Sequence, residues 1–349
     1  VSGQFSSLSD RIEGWDLPDH DVAIVDTSTL DISYQPRLMT MVMALDVNPA
    51  SGDVFVVGTE LTNDIRFEPV LQGKFTRVRM ASFDPDSPGP KAINDLNPHL
   101  DYSTSRIDQA ERNRSVGDPR AIAWNANGTM AYVAGMGSNN LVAVNADGVR
   151  QDRIEVGEGP TGIALDDIRD RGYVLNRFAG TISVIDLNGF EELEQVAFFD
   201  PTPAAIKQGR VHLYGTHEGS GLGQIACASC HVDARTDRLS WDLGNPAGEM
   251  ESRNGFDFHP MKGPLRTQPL QDIIGVPAMH NRGDRDDLFG CAVAFDGLQG
   301  ADALLDDTSM GDFEAFLDTM HFGPNPNRNI DNSLSDTVPI PGANGTVRG

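Results

Sequence analysis

Apolar and polar residues alternate with period two in short runs over residues 1–200, and the runs repeat. Gly117-Asp118-Pro119-Arg120-Ala121-Ile122-Ala123-Trp124 passes a polar turn, Asn125 to Gly128, and continues as Met130-Ala131-Tyr132-Val133-Ala134-Gly135. A second copy runs from Gly159 to Leu165, turns through Asp166 to Asp170 and resumes at Arg171-Gly172-Tyr173-Val174-Leu175. Trp124 therefore aligns with Leu165, and Tyr132 with Tyr173, at an offset of 41 residues. A looser copy spans 43–57, and each copy closes on a further alternating run at 141–144 or 181–186, with 22–26 as the tail of an earlier unit. Short strands joined by tight polar turns and recurring every 40 residues or so predict β-propeller blades. One blade cannot bury both of its faces, so three copies and a partial fourth imply a ring, whose remainder is expected in residues preceding Val1.

From about residue 199 the period lengthens. Residues 203–214 carry apolar side chains at helical spacing behind Pro203, which a first helical turn tolerates. Further helices are expected at 284–295 and 310–322, the latter with Phe313, Phe316, Leu317 and Met320 on one face. Residues 61–113 read as an insertion between the first two copies, with an alternating strand at 74–83. So long a connection is expected to carry a hairpin or to pack on the second half. His99 within it reads as a hydrogen-bonded surface residue, not a ligand. The pattern as a whole predicts a mixed, multidomain chain: an all-β propeller over 1–200, a mainly α domain over 201–323, and a Pro/Asn/Gly-rich linker or tail over 324–349.

Composition narrows the function classes. The chain has 349 residues, more than one core usually organises, and a formal net charge of −24. That charge disfavours nucleic acid and anionic membranes, and favours a basic redox partner, high solubility or a salty medium. No run of about 18 apolar residues is present, so no membrane span is expected. Residues 1–4 show no charged or apolar leader, so the chain reads as a mature or incomplete form of an exported, periplasmic or extracellular protein.

The chemistry sits in Cys227-Ala228-Ser229-Cys230-His231. Two thiols three apart can each join one porphyrin vinyl group, and the histidine that follows is carried beneath the iron, so one covalent haem c is expected with His231 as proximal ligand. A zinc half-site or a redox dithiol would use Cys227 and Cys230 but would give His231 no reason to follow. Cys291 is left over, which excludes a disulfide framework within the chain. The sixth position on iron decides between an electron carrier and an enzyme. Met261, His259, His280 and Met310 are its candidates, beside water. Arg266, Arg282 and Arg285 could pair with propionates or with the neighbouring aspartates, and Trp241 with Phe256 or Phe258 could wall the pocket. The acidic runs at 166–167 and 284–287 lack the alternate-position pattern of a calcium loop and read as solvated faces.

The repeats resemble the YVTN-type β-propeller. The second half resembles the cytochrome c domain of the superfamily of di-haem cytochrome c peroxidases and methylamine-utilisation haem enzymes. That likeness is carried by the Cys227–His231 motif, by His259-Pro260-Met261-Lys262-Gly263-Pro264, by Thr267-Gln268-Pro269-Leu270 leading to His280-Asn281-Arg282-Gly283-Asp284-Arg285, and by Pro324-Asn325-Pro326-Asn327-Arg328. The resemblance implies electron transfer and, in some members, peroxide reduction or substrate oxidation. It also implies that His280 is a histidine kept beside the haem without ligating it, and that a further haem domain or self-assembly could complete the protein. The expected function is electron transfer through one covalent haem. The alternatives are a di-haem peroxidase-type oxidoreductase and a propeller binding module with a structural zinc site.

Overall fold

The computed structural model describes residues 19–348, apart from 88, 277, 326, 327, 330, 332, 335, 336 and 340–345. The start at residues 1–4, and part of the 324–349 tail with its Pro-Asn motif, lie outside the described residues. A hairpin, β1 (Val22–Val25) with β2 (Ile32–Gln35), comes first. Three four-stranded antiparallel meanders follow. They are β3 (Met41–Val47), β4 (Val54–Leu61), β5 (Thr76–Phe83) and β6 (Ala92–Asp95); then β7 (Pro119–Trp124), β8 (Met130–Gly135), β9 (Asn140–Asn145) and β10 (Arg150–Glu155); then β11 (Pro160–Asp166), β12 (Arg171–Asn176), β13 (Thr181–Asp186) and β14 (Glu191–Ala197). The first strands β3, β7 and β11 lie against one another, so the sheets are arranged as propeller blades.

The repeat explains the stacking. Tyr132 pairs with Ala123, and Tyr173 with Ala164, so the offset of 41 residues in the sequence is a register in space. Phe55, Val57, Val78 and Met80 of the first blade bury against Ile122, Trp124, Val133 and Val142 of the second. Tyr132, Leu141 and Ala143 do the same with Val174 and Ile185 of the third. Each large apolar side chain so buried contributes roughly 1.5–3 kcal/mol, which a lone blade could not obtain. Polar clips recur at these joints: Asp46 Oδ2 accepts from the Trp124 amide at 2.8 Å, and Asp167 Oδ2 from the Ala126 amide at 3.2 Å. Asn48 Nδ2 donates to the Gly128 carbonyl at 2.9 Å. Gly128 has φ +69, and a Cβ there would stand 2.4 Å from Asn48 Oδ1, so both the turn and the clip require glycine.

Residues 61–113 are not an insertion. Strands β5 and β6 are the outer half of the first blade. Their pairing is masked in the sequence because a long connection, 62–75, replaces the tight turn found in the other blades. That connection and the next, 96–118, which holds α1 (Gln109–Arg112), pack on the second half. The Gln72 and Gly73 amides donate to the Gly297 and Leu298 carbonyls at 2.9 and 2.7 Å. Arg112 pairs with Asp302 at 2.6 Å, and Arg106 pairs with the buried Asp296.

The second half is mostly loop around a small core, not a mainly α domain. Its helices are α2 (Ala204–Tyr214), α3 (Val293–Gly297) and α4 (Asp307–Leu317). The helix expected over 284–295 shrinks to a tight turn at Phe289–Cys291 followed by α3, because Arg285 is held in an antiparallel bridge with Met279, which extended backbone makes and a helix cannot. Short strands complete it: β15 (Ser240–Asp242) pairs with β18 (Pro264–Arg266), and β16 (Glu251–Arg253) with β17 (Phe256–Phe258). Helices α2 and α4 cross at Gly209, where a Cβ would lie 2.0 Å from the Asp312 carbonyl oxygen. Leu213, Met310, Phe313, Phe316 and Leu317 from this crossing bury together with Ala228 and Ala234, which flank the paired cysteines and histidine.

Candidate functional site

The Cys227–His231 pentapeptide is a closed turn. The Ser229 amide donates to the Ala226 carbonyl at 2.9 Å, while the Ala226 amide donates back to Ser229 Oγ at 3.1 Å. The Cys230 and His231 amides both donate to the Cys227 carbonyl, at 3.2 and 2.9 Å. Cys227 and Cys230 are free thiols, and Cys227 Sγ accepts from Gln299 Nε2 at 3.5 Å. Burial pushes Cys227 up to about 12 and raises Cys230 as well, so both sulfurs are uncharged. A reactive dithiol has the opposite shift. His231 Nδ1 lies 2.7 Å from the Gln268 carbonyl oxygen. A carbonyl can only accept, so Nδ1 carries the proton and Nε2 keeps its lone pair, the tautomer a metal-binding imidazole requires.

Cys230 and His231 open onto a cleft with a cavity volume of about 160 Å³, smaller than the range usual for small-ligand and cofactor sites. One wall is apolar: Leu71 and Phe75 from the 62–75 connection, with Trp241, Leu243, Leu265 and Leu298. Phe75 meets Trp241 edge to face at 5.5 Å, and the indole N–H donates to Asp237 at 2.9 Å, so the ring is fixed. The other wall is polar and carries Arg266, Arg282, His280 and Asp284. Among the described residues Arg266 has no carboxylate partner, whereas Arg282 lies 3.4 Å from Asp284.

No protein-family model matches this chain, and no curated protein does. Solved structures similar to it include the hydrazine synthase of Kuenenia stuttgartiensis (15% identity, 46% of this chain and 50% of that one, TM-score 0.37) and streptogramin B lyase (16%, 54% and 50%, TM-score 0.34). The WD40 repeats of RRP9 also match (11%, 45% and 38%, TM-score 0.31). The chain thus spans between 38% and 50% of the length of these structures. The blade assignment rests on the sheet topology itself.

Of the residues singled out in the sequence, Cys230, His231, Trp241, Arg266, His280 and Arg282 line the cleft. Cys227 does not line the cleft and packs against the α2–α4 core. Met261 is 62% exposed and outside the cleft, while His259 sits in a small neighbouring hollow and accepts the Met261 amide on Nδ1 at 3.0 Å. Met310 is in the α2–α4 core, and His99 contacts Ser115 at 3.3 Å. Arg285 is buried with its guanidinium 4.5 Å over the Phe256 ring, so Arg285, Phe256 and Phe258 form a separate cluster beside the cleft. His280, at φ +67, has Nδ1 3.0 Å from Asp284 and Nε2 3.8 Å from Cys291 Sγ.

Sequence reasoning missed Glu68 and Lys262. Their ion pair lines the cleft, with side chains only 6% and 9% exposed. In the His-Pro-Met-Lys loop it is therefore Lys262 that turns inward, drawn by a glutamate almost two hundred residues earlier. No local signal could have disclosed it. Among the described residues no group of three or more His, Cys, Asp or Glu side chains is placed to hold a metal ion, and a closed zinc site needs four.

A second ion pair braces the motif from the propeller side. Arg120 of β7 binds the buried Asp118 through two bonds of 2.6 and 3.1 Å and reaches Asp233, just past His231, at 3.2 Å. Burial raises the Asp118 carboxyl above its ordinary range even with Arg120 present. Arg120→Ala is expected to cost about 1–3 kcal/mol by orphaning that carboxylate. Because the raised group favours the folded state only when protonated, the deficit should be larger in mild base than in mild acid. Urea unfolding at the two pH values reads it, and a pH-independent deficit would count against the assignment.

Proposed function

We propose that this chain is an exported c-type haem protein that transfers electrons, with Cys227 and Cys230 as the thioether anchors and His231 as the axial imidazole. The His231–Gln268 bond carries this reading, because it leaves Nε2 unprotonated on a histidine that borders a partly apolar cleft. Both cysteines are half-buried and their sulfurs uncharged, which suits thioethers. Bound haem supplies one-electron exchange at iron. The chain's own residues do the rest: Phe75, Trp241, Leu71 and Leu298 exclude water, while Arg266 and Arg282 offer planar forks for the propionates. The propeller contributes one wall of the site through the 62–75 connection. The strongly acidic surface suits a basic redox partner.

Peroxidase-type chemistry is a second reading, favoured by one observation. Met261 and His259 do not line the cleft, and both ring nitrogens of His280 are engaged. An absorbance titration with peroxide and with cyanide separates the two. A spectrum unchanged by either ligand is expected for the electron carrier, and a shift with both is expected for the enzyme. Retention of no chromophore at all would remove both.

A further inference from the structure

We propose that a second cleft, between the propeller and the half that carries α2 and α4, binds a small organic amine, its ammonium group held by carboxylates and its apolar body lying against the helices. The cavity volume is about 570 Å³, within the range usual for small-ligand sites. None of its lining residues lines the cleft beside His231, so the two are separate. The propeller supplies the turn after β8 and the connection from β10 to β11, with Glu155, Val156 and Glu158. Facing them are Val211 and His212 of α2, Glu218 in the loop that follows it, and Leu305 ahead of α4.

The lining offers acceptors. Three glutamates border the cleft, and no lysine or arginine stands among the described lining residues. Arg153 lies 3.5 Å from Glu155 and Arg210 lies 3.9 Å from Glu158, while Glu218 has no ion pair among the described residues. His217 Nε2 lies 2.9 Å from the Ser115 carbonyl oxygen, which can only accept, so Nε2 carries the proton and Nδ1 keeps its lone pair. Burial holds His217 and His212 below the usual histidine range, so neither adds positive charge at neutral pH, and Asp306 and Asp312 add negative charge near His212.

A further acceptor stands behind the floor. Gln299 is 4% exposed, its Nε2 donates to Cys227 Sγ at 3.5 Å, and its Oε1 has no hydrogen-bond partner. That oxygen lies 3.8 Å from the point where a side chain on Gly219 would begin, and the Gly215 carbonyl oxygen lies 2.6 Å from the same point. Both glycines line the cleft. A buried amide oxygen is satisfied only by a donor, and an ammonium group brings several. The acidic groups do not converge as a metal cage, since no three His, Cys, Asp or Glu among the described residues are placed to hold an ion. Val156, Val211, Leu305 and Phe295 instead select a cation with a hydrocarbon body, because a bare ion would leave them facing water.

The test titrates the full chain with 2-phenylethylamine at fixed ionic strength, followed by NMR, with 2-phenylethanol as the uncharged counterpart. One saturable site is expected for the amine, with at least about tenfold weaker binding of the alcohol. The combined change Glu155→Gln, Glu158→Gln and Glu218→Gln should weaken the amine by a similar factor. Val211→Trp, at a position 48% exposed, should abolish saturable binding by filling the cleft without removing a charge. Equal affinity for amine and alcohol, amine binding unchanged in either variant, or no saturable binding to the folded wild type overturns the proposal. With a net charge of −24, an amine held only by the general surface would give the unchanged result in Val211→Trp.

Discussion

Cys227→Ser combined with Cys230→Ser is expected to abolish covalent haem retention, and this is the largest effect foreseen. Each serine removes one sulfur that can bond a vinyl group, so chromophore should separate completely from the unfolded double variant. Each single variant should keep one bond and hold a reduced share. His231→Ala is expected to behave differently, leaving an attached chromophore with altered ligation, because both sulfurs remain. The three sets of variants therefore give three different outcomes in one assay, chromophore on a denaturing gel followed by its absorbance. Equal retention in wild type and the double variant would contradict the anchoring roles.

Glu68→Ala is expected to cost about 3–5 kcal/mol of stability, since it strands the Lys262 ammonium in a site where both side chains are under one-tenth exposed. The pair joins the propeller's 62–75 connection to the loop that follows β17, so the loss should also loosen the cleft. A double change, Glu68→Gln with Lys262→Met, removes both charges and should recover most of the deficit, because burying a charge pair is itself costly. Urea unfolding of the single and double variants measures this. A deficit under about 1 kcal/mol in Glu68→Ala would mean that water reaches the pair.

What was legible in the sequence was local. The offset between Trp124 and Leu165 appears in space as matching registers in successive blades, because alternation reports directly on which face of a strand is buried. The α2 helix was legible for a similar reason, with Pro203 at its start and apolar spacing behind it. Strands β5 and β6 read as an insertion in the sequence because pairing across a long connection leaves no periodic mark. The cleft was half legible. Cys230 and His231 carry their own signal, while Glu68, Lys262 and the Gln268 carbonyl enter through contacts that no spacing rule records. Met261 drew attention as a soft loop ligand, yet the ion pair made by its neighbour Lys262 turns that loop so that Met261 faces solvent.

The most direct measurement is the intact mass of the full chain after complete unfolding in denaturant and reductant. A mass about 0.6 kDa above that of the polypeptide, with the excess confined to the peptide containing Cys227 and Cys230, is the expected result. A mass equal to the bare polypeptide, from cells that attach haem to other proteins, would contradict it.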